Sequence, residues 1–280
     1  MNSALSYFRD KSVFITGASS GIGEELALQL AQAGAKLTLT ARRREQLEVV
    51  AQKITAQGGA MSIEAPCVVT CDVTRDGDIE QVVAESVRRW GKLDVVFANA
   101  GFGVVGGFKK LSIQDYRRQF ETNVFGVLRT VYAALPELEK SRGNLAITGS
   151  VSGWVALPGA SPYCMSKFAV RALANSITPE LRHAGVKLTL ISPGFVVSNI
   201  RRVDNCGTLH SEAADPVPTW IQMSTEKAAR QILHAVARGK KEQIVTLHGK
   251  LFVAIERFLP WINRAFAARM ARVYDSRSSL

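Results

Sequence analysis

Long apolar runs are missing from this chain. No uncharged stretch reaches the ~18 residues needed to cross a bilayer, and Met1 to Lys11 has no apolar core of signal-peptide length. The expectation is a cytoplasmic protein, soluble or peripheral to a membrane. Cysteine is scarce: Cys67, Cys71, Cys164 and Cys206 are too few for a disulfide framework, and the first two share one apolar run, which points to reduced thiols. None of the four histidines sits at ligand spacing from a cysteine or another histidine, so no metal site is expected. No Pro/Gly/Ser-rich linker or charge block divides the 280 residues near their middle, which favours one α/β domain. Acidic residues fall short of basic ones, 24 against 35, giving a net charge of +11. More than half of that excess lies in Arg238 to Leu280, with nine Lys/Arg against three Asp/Glu. No nucleic-acid motif accompanies the basicity, so its counterpart is expected to be an anionic cofactor, an anionic substrate or a lipid surface.

What is present is a regular alternation. Short β-branched runs at Ser12 to Thr16, Lys36 to Ala41, Cys67 to Cys71, Leu93 to Ala98, Asn144 to Gly149, Lys187 to Ile191 and Gln243 to Leu247 are separated by helical periodicity. Each run is nearly continuous in apolar residues, as required when helices cover both faces of a sheet. Right-handed crossovers then give a Rossmann-like, doubly wound, parallel seven-stranded sheet. Gly34, Gly58-Gly59 and Gly91 supply left-handed caps to the first three helices, and two further long helices are expected at Ile113 to Lys140 and Pro162 to Ala184. Residues 195–225 lack periodicity and read as a loop that closes over a substrate. The catalytic domain is expected to span residues 1–248, followed by a basic amphipathic helical extension at 249–280.

Between the first strand and first helix lies Thr16-Gly17-Ala18-Ser19-Ser20-Gly21-Ile22-Gly23. A glycine-rich turn there lets backbone amides at a helix N-terminus face a pyrophosphate, which makes Gly17, Ser19, Ser20, Gly21, Ile22 and Gly23 candidate dinucleotide-binding residues. The Gly-x-x-x-Gly-x-Gly spacing departs from Gly-x-Gly-x-x-Gly. The second strand ends in Ala41-Arg42-Arg43-Arg44, with no carboxylate for a ribose 2′-hydroxyl but guanidiniums for a 2′-phosphate, which favours NADP(H) bound by Arg42 and Arg43. Asp72-Val73 past the third strand could take the adenine amine, and Asn99-Ala100-Gly101 past the fourth could present backbone to the ribose; either could equally be only a turn.

Tyr163 stands four residues before Lys167 and thirteen after Ser150. On a helix that spacing places phenol and ammonium about one turn apart on one face. A free phenol titrates near ~10, and a cation a few Å away favours its anion. Ser150 and Tyr163 can both give an O–H to a ketone oxygen gaining charge during hydride transfer, with Tyr163 passing its proton over.

Taken in order, Thr16 to Gly23, Asn99 to Gly101, Asn123, Ser150, Tyr163 with Lys167, and Pro193-Gly194 resemble the short-chain dehydrogenase/reductase family over roughly Lys11 to Ile200. The resemblance implies a catalytic tetrad of Asn123, Ser150, Tyr163 and Lys167, with Asn123 holding a relay water and Lys167 also binding the nicotinamide ribose. It implies an NADP(H)-preferring branch, although Ser20 stands where some such members carry a basic residue. It implies that Pro193, Gly194, Val196 and Ser198 flank the nicotinamide amide, and a homodimer or homotetramer built on the long helices.

Apolar residues lie where a substrate would, among them Phe102, Trp154 and Phe195, which suggests a bulky hydrophobic carbonyl or alcohol. In the tail Ile255, Leu259, Ile262, Phe266, Met270 and Val273 share a helical face, opposite Arg257, Arg264 and Arg272 and broken or kinked at Pro260. That stripe can lie on an anionic membrane, line the pocket mouth or pack against a second subunit. The leading expectation is an NADP(H)-dependent oxidoreductase interconverting a ketone and a secondary alcohol. The alternatives are a 3-oxoacyl-thioester reductase acting on carrier- or CoA-linked substrates, and a non-catalytic NADP(H)-sensing regulatory protein.

Overall fold

A computed structural model describes residues 5–56, 64–198, 200, 205, 212, 215 and 217–277, with residues 270–277 described by backbone alone. Strands β1 (Ser12–Thr16), β2 (Lys36–Ala41), β3 (Cys67–Thr70), β4 (Val95–Ala98), β5 (Asn144–Thr148), β6 (Lys187–Ser192) and β7 (Glu242–Ile244) form one sheet in the order β3-β2-β1-β4-β5-β6-β7. Every pairing is parallel. All residues of β1 and β4 are buried, so both faces of the sheet centre are covered, as their unbroken apolar runs require.

Alternation along the strands divides the core in two. Val13, Ile15, Val95 and Phe97 point to a layer made with α1 (Gly21–Gln32), α2 (Arg44–Ala56) and α7 (Thr225–Ala237). Phe14, Val96 and Ala98 point to the opposite layer, made with α3 (Asp78–Trp90), α5 (Gly126–Ser141) and α6 (Ser161–His183). Strand order reverses between β1 and β4, and the crevice beyond their carboxyl ends is where ligands bind in such sheets.

The expected helix over Ile113 to Lys140 is α4 (Ile113–Phe120) and α5 joined by a π-helical turn, Glu121–Phe125. A π turn inserts one extra residue and carries no compositional signal. The last strand is shorter than expected and ends at Ile244; Thr246 caps α8 (Leu247–Phe258), accepting from Gly249 N at 3.2 Å, so Leu247 opens a helix instead of closing a strand. The tail restarts at Pro260 as α9 (Pro260–Arg277). The break expected at Pro260 is present, with Leu259 non-helical between the two helices; Leu259 and Phe266 are exposed, whereas Val253 and Asn263 are buried. The Gly58-Gly59 cap, Cys206, most of the 199–216 loop and the side chains of Met270, Arg272 and Val273 lie outside the described residues. Among the described residues no helix is long and apolar enough to cross a membrane.

Candidate active site

The glycine-rich turn leaves β1 with Gly17 at φ +67° and enters α1 at Gly21. Gly17 lies against the start of the turn after β4, where a Cβ would sit 2.9 Å from Ala100 Cα, and a Cβ on Gly23 would sit 2.2 Å from Gly17 O. Backbone and the Asn99 amide therefore fill this corner. Ser20 is the N-cap of α1 but makes no capping side-chain bond. The first amides of α1, the surrounding Ser19 and Ile22, and the space at Gly21, where a Cβ would meet only Ser198 Cβ at 3.5 Å, fit a pyrophosphate group.

Thr16 and Asn99 build the other wall. The Thr16 hydroxyl accepts from the backbone N–H of both Asn99 and Ala100 at 2.9 Å. The Asn99 amide donates to Thr16 O at 3.1 Å, and Asn99 Oδ1 accepts from Thr148 Oγ1 at 3.2 Å. The side chain of Asn99 is thus a brace joining the ends of β1, β4 and β5. Asp72 turns inward: its Oδ1 accepts from Thr74 N at 3.0 Å and Thr74 Oγ1 at 2.7 Å. Val73 is buried against Gly126 of α5.

A cleft of about 360 Å³ opens beyond β2, β3 and β4, lined by Arg42, Thr74, Phe102, Gln114, Arg117, Arg118, Glu121 and Thr122. Its one acidic lining residue, Glu121, is paired with Arg129 at 2.8 Å, which leaves the cleft basic. Arg42 stands in this cleft, whereas Arg43 is not among its lining residues and is exposed at the start of α2. Arg117 and Arg118 were not anticipated; an arginine pair in the last turn of a helix reads as solvated until α4 is packed against α6 and the π turn.

Tyr163 and Lys167 lie one turn apart on α6, and the turn capped by Ser150 packs against that helix. Ser150 follows β5, is 9% exposed, and its Oγ accepts from Ser152 N at 3.0 Å while capping a 3₁₀ turn, Val151–Gly153. A hydroxyl that accepts there still has its hydrogen to give. Gly153 lets that turn press on α6: a Cβ would lie 2.6 Å from Lys167 O. Pro162 opens α6, a position where its missing N–H costs nothing. One turn along, Lys167 is buried, with Nζ donating to Thr148 O at 2.8 Å and lying 5.8 Å from the centre of the Tyr163 ring. Burial pushes the Lys167 ammonium down to about 8. The turn after β4 passes directly over both: Cβ atoms built on Gly101 and Gly103 would lie 3.8 Å from Lys167 Nζ and 3.6 Å from Tyr163 Cδ2.

Asn123 lies in the π turn and is fully buried. Its Oδ1 accepts from Phe102 N at 3.1 Å, and its Nδ2 donates to Phe102 O at 3.0 Å and Ser166 Oγ at 3.2 Å. Gln119, also buried, accepts from Val104 N at 2.6 Å and donates to Phe102 O at 2.9 Å. These two amides hold the loop that overlies Tyr163 and Lys167, a task for Gln119 that no spacing announced.

The segment after β6 closes the site. Pro193 O accepts from Val151 N at 2.9 Å, Val196 bridges to Met223, and Ser198 Cβ lies 3.5 Å from the Cβ position of Gly21. Phe195 stacks on His248 of α8, with ring centres 5.3 Å apart. Trp154 is committed elsewhere than expected for a substrate residue: its indole donates to Glu242 at 3.0 Å, and Arg171 lies 3.2 Å above its ring. Phe102 is buried and lines the basic cleft. Among the described residues no cluster of three His, Cys, Asp or Glu could hold a metal.

Comparison with known proteins agrees with this geometry. The profile of the short chain dehydrogenase family matches residues 11–206. The dehydrogenase/reductase SDR family protein 7-like of Dictyostelium discoideum is 31% identical over 257 residues, covering 91% of this chain and 80% of that protein. The 11-beta-hydroxysteroid dehydrogenase-like 4A of Arabidopsis thaliana is 35% identical over 257 residues, covering 90% of this chain and 80% of that protein. Among solved structures, the alcohol dehydrogenase of the archaeon Thermococcus sibiricus, complexed with 5-hydroxy-NADP, is 27% identical and superposes with a TM-score of 0.71, covering 84% of this chain and 95% of that one. A family match across most of the chain and relatives above 30% identity establish that this protein belongs to the short-chain dehydrogenase/reductase family, oxidoreductases of ketones and alcohols.

Proposed function

We propose that this protein is an NADP(H)-dependent reductase of bulky hydrophobic ketones, with the secondary alcohol as product. The observation that carries the chemistry is the buried Lys167 ammonium one helical turn from Tyr163. NADPH, when bound, supplies the hydride that reaches the carbonyl carbon. Tyr163 gives its phenolic proton to the carbonyl oxygen, and Ser150 donates a second hydrogen bond to the same oxygen as charge grows there. The phenolate left behind lies next to the positive charge of Lys167. Donors placed where charge develops lower the barrier without reorganising during the step.

Support for the phosphorylated cofactor comes from Arg42 in the basic cleft with Arg117 and Arg118, and from the lack of a carboxylate at the end of β2. The hydrophobic substrate class rests on the half-buried Phe195 beside the site and on the steroid dehydrogenase-like relatives. A panel of free ketones of graded size with NADPH, followed at the nicotinamide absorbance, tests it. Turnover rising with ketone bulk and favouring NADPH over NADH is expected; turnover only of thioester-linked 3-oxoacyl substrates, or none, overturns it.

Two partners belong to the same proposal. Leu247, Leu251, Phe258 and Trp261 are exposed on α8 and α9, beside Lys250, Arg257 and Arg264. Exposed apolar residues flanked by cations suit the surface of an anionic bilayer. Phe125, Tyr132, Met165 and Phe168 are exposed on the π turn, α5 and α6, the helices on which a homodimer or homotetramer would be built.

A further inference from the structure

We propose that His248 is a positioning residue for the reaction, holding the Pro193–Ser198 segment from the C-terminal helix. The inference rests on the proposed function and on the place that the family resemblance implies for that segment, flanking the nicotinamide amide of the cofactor. His248 is the second residue of α8 and is half-buried. Its Nε2 accepts the backbone N–H of Phe195 at 3.0 Å, and its ring stacks on the Phe195 ring at an interplanar angle of 26°. Contact is direct because the neighbouring residue is glycine: a Cβ on Gly194 would lie 2.2 Å from Thr246 Oγ1 and 2.6 Å from His248 Nε2.

The chemistry of the partners fixes the form of the imidazole. A backbone N–H can only donate, so Nε2 carries a lone pair and the ring proton sits on Nδ1. Thr246 Oγ1, 3.1 Å from the same nitrogen, accepts from Gly249 N and has its own hydrogen to direct at Nε2. Burial, which favours the neutral ring, and a place in the first turn of a helix, where a cation is unfavourable, act in the same direction.

Among the described residues the segment is held from three parts of the chain. Val151 N donates to Pro193 O at 2.9 Å, Met223 N donates to Phe195 O and Met223 O accepts from Val197 N, both at 2.9 Å, and Phe195 N donates to His248. The first comes from the turn that Ser150 caps, and the third comes from α8 alone. Removing the acceptor leaves Phe195 N–H without its partner and loosens the Gly194–Phe195 peptide between the Pro193 and Met223 anchors, without touching the glycine-rich turn or the Arg42 cleft.

Two variants separate the ring from its nitrogen. His248→Phe keeps a ring to stack on Phe195 and deletes the acceptor; His248→Gln brings an amide oxygen to about the position of Nε2. Binding of NADPH and of 2′,5′-ADP, which has no nicotinamide, is measured by fluorescence and calorimetry, with NADH and ADP run in parallel and kcat read separately from KM. Expected is a loss of about tenfold in dinucleotide affinity and a fall in kcat for His248→Phe, 2′,5′-ADP binding unchanged within about twofold, and recovery in His248→Gln. Wild-type behaviour of His248→Phe overturns the proposal, as does equal loss of 2′,5′-ADP binding that His248→Gln fails to recover. A wild-type protein that binds ADP-type ligands but neither dinucleotide removes the proposed function itself.

Discussion

Replacing Lys167 by Met is expected to remove activity without destabilising the protein. The ammonium is 5% exposed, and its displacement from an ordinary value of 10.5 to about 8 corresponds to about 3 kcal/mol of cost in keeping it charged in the folded state at pH 7. Met retains the length of the side chain and escapes that cost, but leaves Thr148 O without its 2.8 Å donor, worth about 1–3 kcal/mol. The variant should therefore lie between equal stability and about 2 kcal/mol greater stability at pH 7. The pH dependence has a definite sign. Below pH 8 both folded and unfolded wild type hold the proton, so the full cost is present; from 8 to 10.5 the unfolded chain binds more protons than the folded one, and wild-type stability rises with pH. By pH 9.5 the wild type should recover about 2 kcal/mol, closing or reversing the gap. Urea denaturation of both proteins without cofactor at pH 7 and 9.5 measures this, while turnover of a ketone with NADPH should fall by about 10²–10⁴ in the variant. A variant less stable by more than about 2 kcal/mol at both pH values would refute the reasoning, since the ammonium would then be a net stabiliser.

Arg42→Asp removes a charge-assisted contact to the 2′-phosphate and should weaken NADPH binding by roughly 10–100-fold while tightening NADH; an unchanged ratio in a fluorescence titration would place the phosphate elsewhere. Gly23→Ala puts a Cβ 2.2 Å from Gly17 O, a backbone atom that cannot swing away, so the turn must shift. A loss of about 1–3 kcal/mol in stability and of dinucleotide binding is expected, and wild-type affinity by calorimetry would show that the turn has room. Leu251→Ser with Phe258→Ser should abolish flotation with phosphatidylserine vesicles and leave turnover of a water-soluble ketone intact; equal flotation would exclude α8 as the lipid contact.

Much of the fold could be read from residue order because the signals were local. Unbroken apolar runs such as Val13 to Ile15 and Val95 to Ala98 specify buried parallel strands, and glycine after helix α3 marks its end at φ +77°. Tyr163 and Lys167 could be paired because helical spacing alone sets them one turn apart. What was not legible depends on contacts distant in sequence. His248 meets Phe195 across 53 residues, and Trp154 meets Glu242 across 88. Neither distance leaves a periodic trace. Asp72 and Asn99 fall where expected, yet their side chains brace turns through Thr74, Thr16 and Thr148, so residue type gave the position and not the partner. In the tail the break at Pro260 could be read from the proline itself, whereas the burial of Val253 and Asn263 could not.

The central claim is that the Tyr163 phenol delivers a proton while hydride arrives at the same carbonyl. The most direct test gives the protein NADPH carrying deuterium at the transferable C4 position together with a bulky prochiral ketone, and locates the label in the product by mass spectrometry and NMR. Deuterium on the carbinol carbon of a single enantiomer, formed by the wild type and reduced by about 10²–10⁴ in Tyr163→Phe with NADPH binding retained, is the expected result. Labelled alcohol formed equally well by Tyr163→Phe would contradict it.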